Sequence, residues 1–127
     1  MRKIQILFLL TVVMALLLVA CGGSDEPADE PAAAAGDATA GEPLFQGTCS
    51  ACHGPDAKGL PALGKDLTAS EFFQGNSDEE LLAFVKVGRD ANDPANTTGV
   101  AMLPKGGNPA LSDEDILNII AYVRTLP

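Results

Sequence analysis

Positive charge is scarce in this sequence of 127 residues. Lys and Arg number eight against seventeen Asp and Glu, which gives a formal net charge of −9. Binding to DNA or RNA depends on clustered basic side chains that neutralise phosphates, so the composition excludes no fold but argues against nucleic acid as a partner. An acidic chain favours a basic partner surface. The length allows one domain.

The sequence also lacks the patterns of several other protein classes. No stretch alternates apolar and polar residues over the length that predicts a β-strand, and no paired acid and base, nucleophile motif or phosphate-binding loop is present. The acidic runs 78–80 and 113–115 each follow a serine, where carboxylates interact favourably with a helix N-terminus. These patterns predict an all-α chain and do not indicate an enzyme.

Three helices are predicted between long loops rich in glycine and proline. The first runs from Pro43 to about Ser50, since proline is tolerated early in a helix. The second covers 78–87, after a capping box that opens with Ser77, and the third follows a like signature at Ser112 and carries an apolar stripe to the C-terminus. Long loops without structure are uncommon in compact domains, so we expect a cofactor to organise them.

The longest apolar run, residues 4–20, lies at the N-terminus. It follows two basic residues and ends in small residues before Cys21, as a secretory signal peptide does. The tetrapeptide Leu18-Val19-Ala20-Cys21 resembles a bacterial lipobox. The resemblance implies a lipoprotein signal peptide over 1–20 and a lipid on Cys21. The alternative is an uncleaved membrane anchor, because a bilayer span needs ~17–25 apolar residues.

A linker is predicted after the signal peptide. Cys21 is followed by residues 22–40, which include only Gly, Ser, Pro, Ala, Thr, Asp and Glu. Such a segment buries too little apolar surface to offset the entropy lost on ordering. We therefore expect a disordered linker over 21–40 and a folded domain over 41–127. The linker is either a passive spacer or an arm that swings the domain between partners.

The most specific motif is Cys49-Ser50-Ala51-Cys52-His53. Two cysteines three residues apart, with histidine directly after the second, are typical of c-type haem attachment. A thioredoxin-like centre requires a βαβ context, and a zinc site requires a fourth Cys or His ligand. A structural disulfide would leave His53 and the long loops unexplained. We therefore expect one haem c bonded to Cys49 and Cys52, with His53 on the iron.

Over residues 41–127, which include this motif, the sequence resembles the class I c-type cytochromes. The motifs that carry the resemblance are Leu44-Phe45, Cys49 to Gly54, Gly59 to Leu63, Ala101 to Pro104, Leu111 to Ile116 and Ala121 to Val123. The resemblance implies a small cytochrome c fold, with three to four main helices and long loops around one covalently bound haem. It also implies that the first and last helices cross near Phe45 and Tyr122.

Met102 is the expected sixth ligand of the haem iron. Met1 and Met14 would leave with the signal peptide, so Met102 is the one thioether of the mature chain, and its position matches the axial methionine of the family. The alternative is a methionine that fills a gap in the core. Ligation by His and Met saturates the iron and leaves no site for O₂ or peroxide, so one-electron transfer remains as its chemistry.

Further roles are implied by the resemblance alone. The carbonyl of Pro61 is expected to accept a hydrogen bond from the other ring nitrogen of His53, although a turn proline has the same pattern. Residues 96–99 either hydrogen-bond a haem propionate or the Met102 sulfur, or are ordinary loop formers. Arg89 and Lys105 either neutralise propionates or are solvated. The expected walls of the haem pocket are Leu63, Leu67, Phe72, Phe73, Leu81, Phe84 and Val85.

The expected function is that of a monohaem electron carrier rather than an enzyme. We expect a monomer held by its lipid on the outer, periplasmic side of a bacterial membrane. It would accept electrons from a quinol-oxidising complex or donor cytochrome and pass them to an oxidase, reaction centre or reductase, steered to a basic partner surface. An open sixth iron position would instead indicate a haem-based sensor of small ligands or a peroxidase-like protein. A non-catalytic subunit of a larger respiratory complex is a further alternative.

Overall fold

The computed structural model describes residues 35–127. The predictions for the signal peptide, for Cys21 and for the linker up to residue 34 lie outside these residues. The described part has five α-helices, and a short 3₁₀ helix, Pro104–Gly107, precedes the last of them. The α-helices are α1 (Ala38–Thr48), α2 (Ser50–His53), α3 (Glu71–Gly75), α4 (Asp78–Val87) and α5 (Asp113–Thr125).

The all-α prediction is confirmed for the part of the chain that the structure describes. Its one β-type pairing there is a single antiparallel bridge between Arg89 and Met102. None of the helices within residues 35–127 combines the length and the hydropathy that a membrane-spanning helix requires.

The first helix begins earlier than the predicted start at Pro43. Its N-cap is Asp37, whose carboxylate accepts a hydrogen bond from Thr39 N at 2.8 Å, and Pro43 lies inside the helix. The Asp37 N–H donates to Asn118 Oδ1 in α5 at 2.7 Å. The prediction of a linker up to residue 40 is therefore wrong at its end, because a capping carboxylate and a contact with α5 order these residues.

The second and third predicted helices are confirmed as α4 and α5. Both begin with a complete capping box, in which the serine hydroxyl and the acidic side chain three residues later each accept a backbone N–H. These distances are 3.2 and 2.8 Å for Ser77 and Glu80, and 3.1 and 2.9 Å for Ser112 and Asp115. Gly88 is the residue that caps the C-terminus of α4, and its φ of 76° is a backbone conformation that glycine adopts readily.

Helix α3 was not predicted, because five residues are too few to show helical periodicity. Its N-cap is Ser70, whose hydroxyl accepts a hydrogen bond from Phe73 N at 3.2 Å. The helix brings Phe73 into the core, where its side chain is 8% exposed.

The crossing of α1 and α5 forms the centre of the fold, as the resemblance implied. Phe45 is completely buried, and its ring centroid lies 5.6 Å from that of Tyr122. Around them the buried apolar residues form one cluster. Its members are Phe45, Ala57, Phe73, Leu81, Leu111, Ile116, Ile119, Ile120 and Val123. Because α1 is fixed at this crossing, the position of the cysteine that follows it is fixed as well.

Candidate functional site

The end of α1 positions the cysteine and histidine motif. Cys49 N donates to Phe45 O at 2.8 Å, and His53 N donates to Cys49 O at 3.0 Å, so α2 is one helical turn that starts where α1 stops. This turn places Cys49 and His53 on the wall of one cleft and leaves Cys52 exposed. Gly54, with φ 76°, ends the turn.

The two cysteines are free thiols, and their environment does not favour thiolate chemistry. Burial raises the pKa of the Cys49 thiol to about 11, and the neighbouring Cys52 contributes to the rise. In redox-active Cys-x-x-Cys centres the pKa of the attacking cysteine is lowered instead. The raised pKa of Cys49 therefore argues against a thiol-disulfide exchange centre in this cleft.

The imidazole of His53 is held from behind by a backbone carbonyl. His53 Nδ1 lies 2.8 Å from Lys65 O, and Pro61, the predicted partner, is exposed and lies outside the cleft lining. The prediction for Pro61 is therefore replaced by Lys65. A carbonyl acceptor sets Nδ1 as the protonated nitrogen, which leaves Nε2 as the ring atom free to bind a metal.

The close approach of the Lys65 loop depends on glycine. A Cβ at Gly64 would overlap the carbonyl of Cys52, so only a residue without a side chain lets this loop lie against the motif. No residue-type signal could have identified Lys65 itself, because every residue carries a carbonyl.

Met102 reaches the same cleft from a different part of the chain. It lies after α4 and before the 3₁₀ helix, in the bridge with Arg89, and its side chain lines the cleft together with His53. The structure thus brings together the imidazole and the thioether that were predicted as the two axial ligands. The alternative of a core-filling methionine is not favoured, because Met102 is only half-buried.

The cleft has apolar walls and about 1100 Å³ of space free of protein atoms, part of it open to solvent. Seven predicted wall residues all line it, namely Leu63, Leu67, Phe72, Phe73, Leu81, Phe84 and Val85. Helix α5 adds Ile119, Ile120 and Val123. Ile120 and Val123 belong to the predicted apolar stripe, but none of the three was predicted to line the cleft. One thiol, one imidazole and one thioether on the wall of an apolar cleft of this size, with the second thiol, Cys52, in the same helical turn as His53, fit a covalently bound haem.

The predicted propionate partners have other contacts in this structure. Lys105 Nζ donates to Leu111 O at 2.6 Å, which holds the loop before α5. The Arg89 guanidinium lies over the rings of Phe72 and Phe84. Neither cation is simply solvated, which was the alternative for both.

Asn96 organises the loop that leads to Met102. Its Oδ1 accepts hydrogen bonds from Thr98 N and Gly99 N, both at 3.0 Å, and its Nδ2 donates to Val100 O at 2.8 Å and to Asp90 O at 3.0 Å. The loop-forming interpretation of residues 96–99 accounts for these bonds, although Asn96 and Thr98 also border the cleft.

Comparisons with known proteins point to one family. The model of the cytochrome c family matches residues 38–127. Cytochrome c-554(548) of Halomonas halodenitrificans is 41% identical over 96 residues, which cover 69% of this chain and 94% of that protein. No solved structure matches the chain significantly.

Two longer relatives come from Rhodobacter capsulatus. The cbb3-type cytochrome c oxidase subunit CcoP is 34% identical over 104 residues, which cover 81% of this chain but only 32% of CcoP. The cytochrome named c-type cyt cy is 33% identical over 115 residues, or 77% of this chain and 53% of that protein. The chain thus spans about a third of the length of CcoP and about half that of cytochrome cy.

The family match covers every described helix, the cleft and both loops that border it. Its start at residue 38 coincides with the first residue of α1. The spacing of Cys49 and Cys52 suits the haem c of the family. The chain therefore belongs to the cytochrome c family, as a monohaem class I member whose cofactor is covalently attached haem c.

Proposed function

We propose that this protein carries single electrons between redox proteins at the outer face of a bacterial membrane, and that it is a carrier rather than an enzyme. In this proposal Cys49 and Cys52 bond covalently to haem c, and His53 and Met102 ligate its iron. The supporting observation is that His53 and Met102 line one apolar cleft although they come from distant parts of the chain, the end of α2 and the loop before the 3₁₀ helix. Bound there, haem c supplies a one-electron couple between ferric and ferrous iron.

The residues around the cleft keep the two ligands in place. The Lys65 carbonyl, 2.8 Å from His53 Nδ1, orients the imidazole and raises its basicity. A thioether from Met102 favours ferrous iron and so raises the reduction potential. The apolar walls exclude water from the iron, which limits solvent access and tunes the potential further.

Absorption spectroscopy of the purified holoprotein tests this site. The wild type is expected to be low-spin, to show the weak red ferric band of sulfur ligation, and not to bind CO in the ferrous state. Met102→Ala is expected to lose the red band and to bind CO. Leu103→Ala is the matched control, because Leu103 is the next residue but is 58% exposed and outside the cleft lining.

Two outcomes contradict the proposed site. A wild type that binds CO rapidly would indicate an open iron position, and thus a sensor of small ligands or a peroxidase-like protein. Haem that is extracted by acid and organic solvent would show that Cys49 and Cys52 do not hold it covalently.

We further propose that a lipid on Cys21 tethers the domain. The support is the order of a basic start, an apolar run and the tetrapeptide Leu18-Val19-Ala20-Cys21. Cys21→Ser in the full-length chain is expected to keep its signal peptide and to carry no lipid. Ser24→Ala serves as a control. Mass spectrometry of the wild type should show an N-terminal lipidated Cys21. A wild type that retains residues 1–20 would instead indicate an uncleaved anchor.

The proposed partners are respiratory redox proteins with basic docking surfaces. The net charge of −9 supports electrostatic docking, and the similarity to an oxidase subunit and to cytochrome cy supports a respiratory context. The likeness to CcoP also favours a second candidate, a stable subunit of a larger complex. Purification distinguishes them: a carrier elutes as a monomer after detergent extraction, and a subunit elutes with other chains.

A further inference from the structure

Arg89 lies in the wall of the cleft, which is mostly apolar. The guanidinium of Arg89 lies 4.7 Å from the ring centroid of Phe84 and 5.0 Å from that of Phe72. The two rings are 4.9 Å apart and meet at 61°, edge to face. Neither of the two salt bridges formed within residues 35–127 includes Arg89. Two aromatic rings and the Ala95 carbonyl, which accepts a hydrogen bond from Nη1 at 3.5 Å, rather than a carboxylate, therefore hold this cation.

The backbone of the same arginine holds Met102. Arg89 N donates to Met102 O at 2.8 Å, and Met102 N donates to Arg89 O at 2.9 Å. The residues on either side, Ala101 and Leu103, are exposed, so the segment has little burial to fix its place. In the described chain this pair forms the single β-bridge, and the position of Met102 depends on it.

Gly88 makes the close approach between these two segments possible. Its φ is 76°, and a Cβ there would overlap the carbonyl of Met102. Gly88 follows α4 directly, and α4 is held by its capping box and by Leu81, which is 2% exposed. Helix α4, Gly88 and Arg89 thus follow one another directly in the chain, and Arg89 pairs with the backbone of Met102. A well-held helix therefore fixes the position of the methionine.

We propose that Arg89 is a positioning residue for Met102. Its side chain, in contact with the rings of both Phe72 and Phe84, fixes the backbone that pairs with Met102 and so keeps the thioether at the iron. This inference rests on the proposed function, because it requires Met102 to be the sixth ligand.

Exchange of Met102 for an external ligand tests the proposal. We would mix the ferric full-length holoprotein with imidazole and measure both the rate of binding and the loss of the red sulfur band. Arg89→Ala is expected to bind imidazole about tenfold faster, the effect of losing two cation-π contacts that hold the ligand segment. Arg89→Lys keeps the charge without the planar group, and an intermediate increase of about threefold is expected.

Arg124 provides the matched control. Its guanidinium lies 5.2 Å from the Phe73 ring centroid, and its Nε donates to Asp78 at 2.8 Å, but it lies outside the cleft lining. Arg124→Ala therefore loses a cation-π contact and an ion pair without touching the Met102 segment. It is expected to lower the melting temperature and to bind imidazole at the wild-type rate.

Each contrary result has a distinct meaning. If Arg89→Ala binds imidazole at the wild-type rate, or if Arg124→Ala accelerates binding equally, the positioning role is wrong while Met102 ligation stands. If the wild type itself lacks the red band, Met102 is not the sixth ligand, and the proposed function is contradicted before the role of Arg89 is tested. Should Arg89→Ala not mature, Phe72→Leu removes one of the two rings. It is expected to accelerate binding about threefold, and an unchanged rate would overturn the proposal.

Discussion

The backbone of Gly41 in α1 packs directly against the carbonyl group of Asn118 in α5. A Cβ at position 41 would overlap this carbonyl and lie 2.9 Å from Ile119 N. Phe45, one turn further along α1, is completely buried at the same crossing. The absence of a side chain at Gly41 thus sets how closely the two helices approach.

Gly41→Ala is expected to lower the free energy of unfolding by roughly 3 kcal/mol, because backbone on both sides leaves no room for relaxation. Denaturant titration of the holoprotein measures this. Gly47→Ala is the control within the same helix, since a Cβ there meets no atom within 4 Å. It is expected to stabilise the helix by up to about 0.5–1 kcal/mol. Equal losses for both variants would contradict the tight crossing.

The carbonyl that holds His53 gives a second prediction. Gly64→Ala pushes the Lys65 loop away from Cys52 and weakens the hydrogen bond to His53. The weaker bond lowers the basicity of the imidazole and so disfavours ferric iron more than ferrous iron, which raises the reduction potential. The rise is at most about 40 mV, the value for a loss of about 1 kcal/mol in the ferric state alone. Potentiometric titration measures the change.

Two variants check the specificity of that effect. Pro61→Ala is expected to keep the wild-type potential, because residue 61 is exposed and outside the cleft lining. Gly75→Ala is expected to do the same, since a Cβ there meets no atom within 4 Å. A shift in Pro61→Ala as large as that in Gly64→Ala would show that the effect is not specific to the contact between the Lys65 loop and His53.

The capping box of α5 predicts a pH dependence of stability. Hydrogen bonds from the Ser112 N–H and hydroxyl lower the pKa of Asp115 below its usual 3.8. A carboxylate whose pKa is lower in the folded state stabilises the fold above the unfolded pKa, and this is lost as the pH falls through the lower, folded value.

Asp115→Asn is therefore expected to lower the melting temperature at neutral pH, with a difference from wild type that shrinks below about pH 4. Thermal unfolding followed by circular dichroism measures both. Glu114→Gln removes one charge from the same helical turn and leaves the capping hydrogen bonds in place, so its effect at neutral pH should be smaller. A constant difference across the pH range would contradict the linkage.

The acidic surface predicts how salt affects electron transfer. The rate of reduction by a basic redox protein is expected to fall as ionic strength rises, because screening removes the long-range attraction. Stopped-flow measurements from low to physiological salt test this. Reduction by a small uncharged reductant serves as the control and should not change. A rate with the basic partner that is independent of salt would point to apolar contacts as the basis of docking.

Local sequence signals predicted the features that depend on neighbouring residues. Helices α4 and α5 were predicted because a serine and an acid three residues apart form a capping box wherever the chain turns into a helix. The cysteine and histidine motif was equally readable, since its chemistry needs only a fixed spacing. Both are short-range properties, and the structure agrees with them.

The start of α1 could not be predicted from local sequence signals. Asp37 lies in a stretch of small and acidic residues typical of a linker, and its N–H is held by Asn118, a residue 81 positions away. Likewise, the choice of Lys65 over Pro61 as the acceptor for His53 depended on how a loop folds back, because every peptide unit carries a carbonyl.

The sequence by itself determined the helical class, the family and the residue types that can bind haem, because capping, periodicity and the spacing of ligands are encoded locally. Only the tertiary structure decided which residues meet across the chain. It placed Arg89 beside Met102, Lys65 behind His53 and Gly41 against Asn118. These contacts arise from close packing of distant segments, which no local pattern specifies.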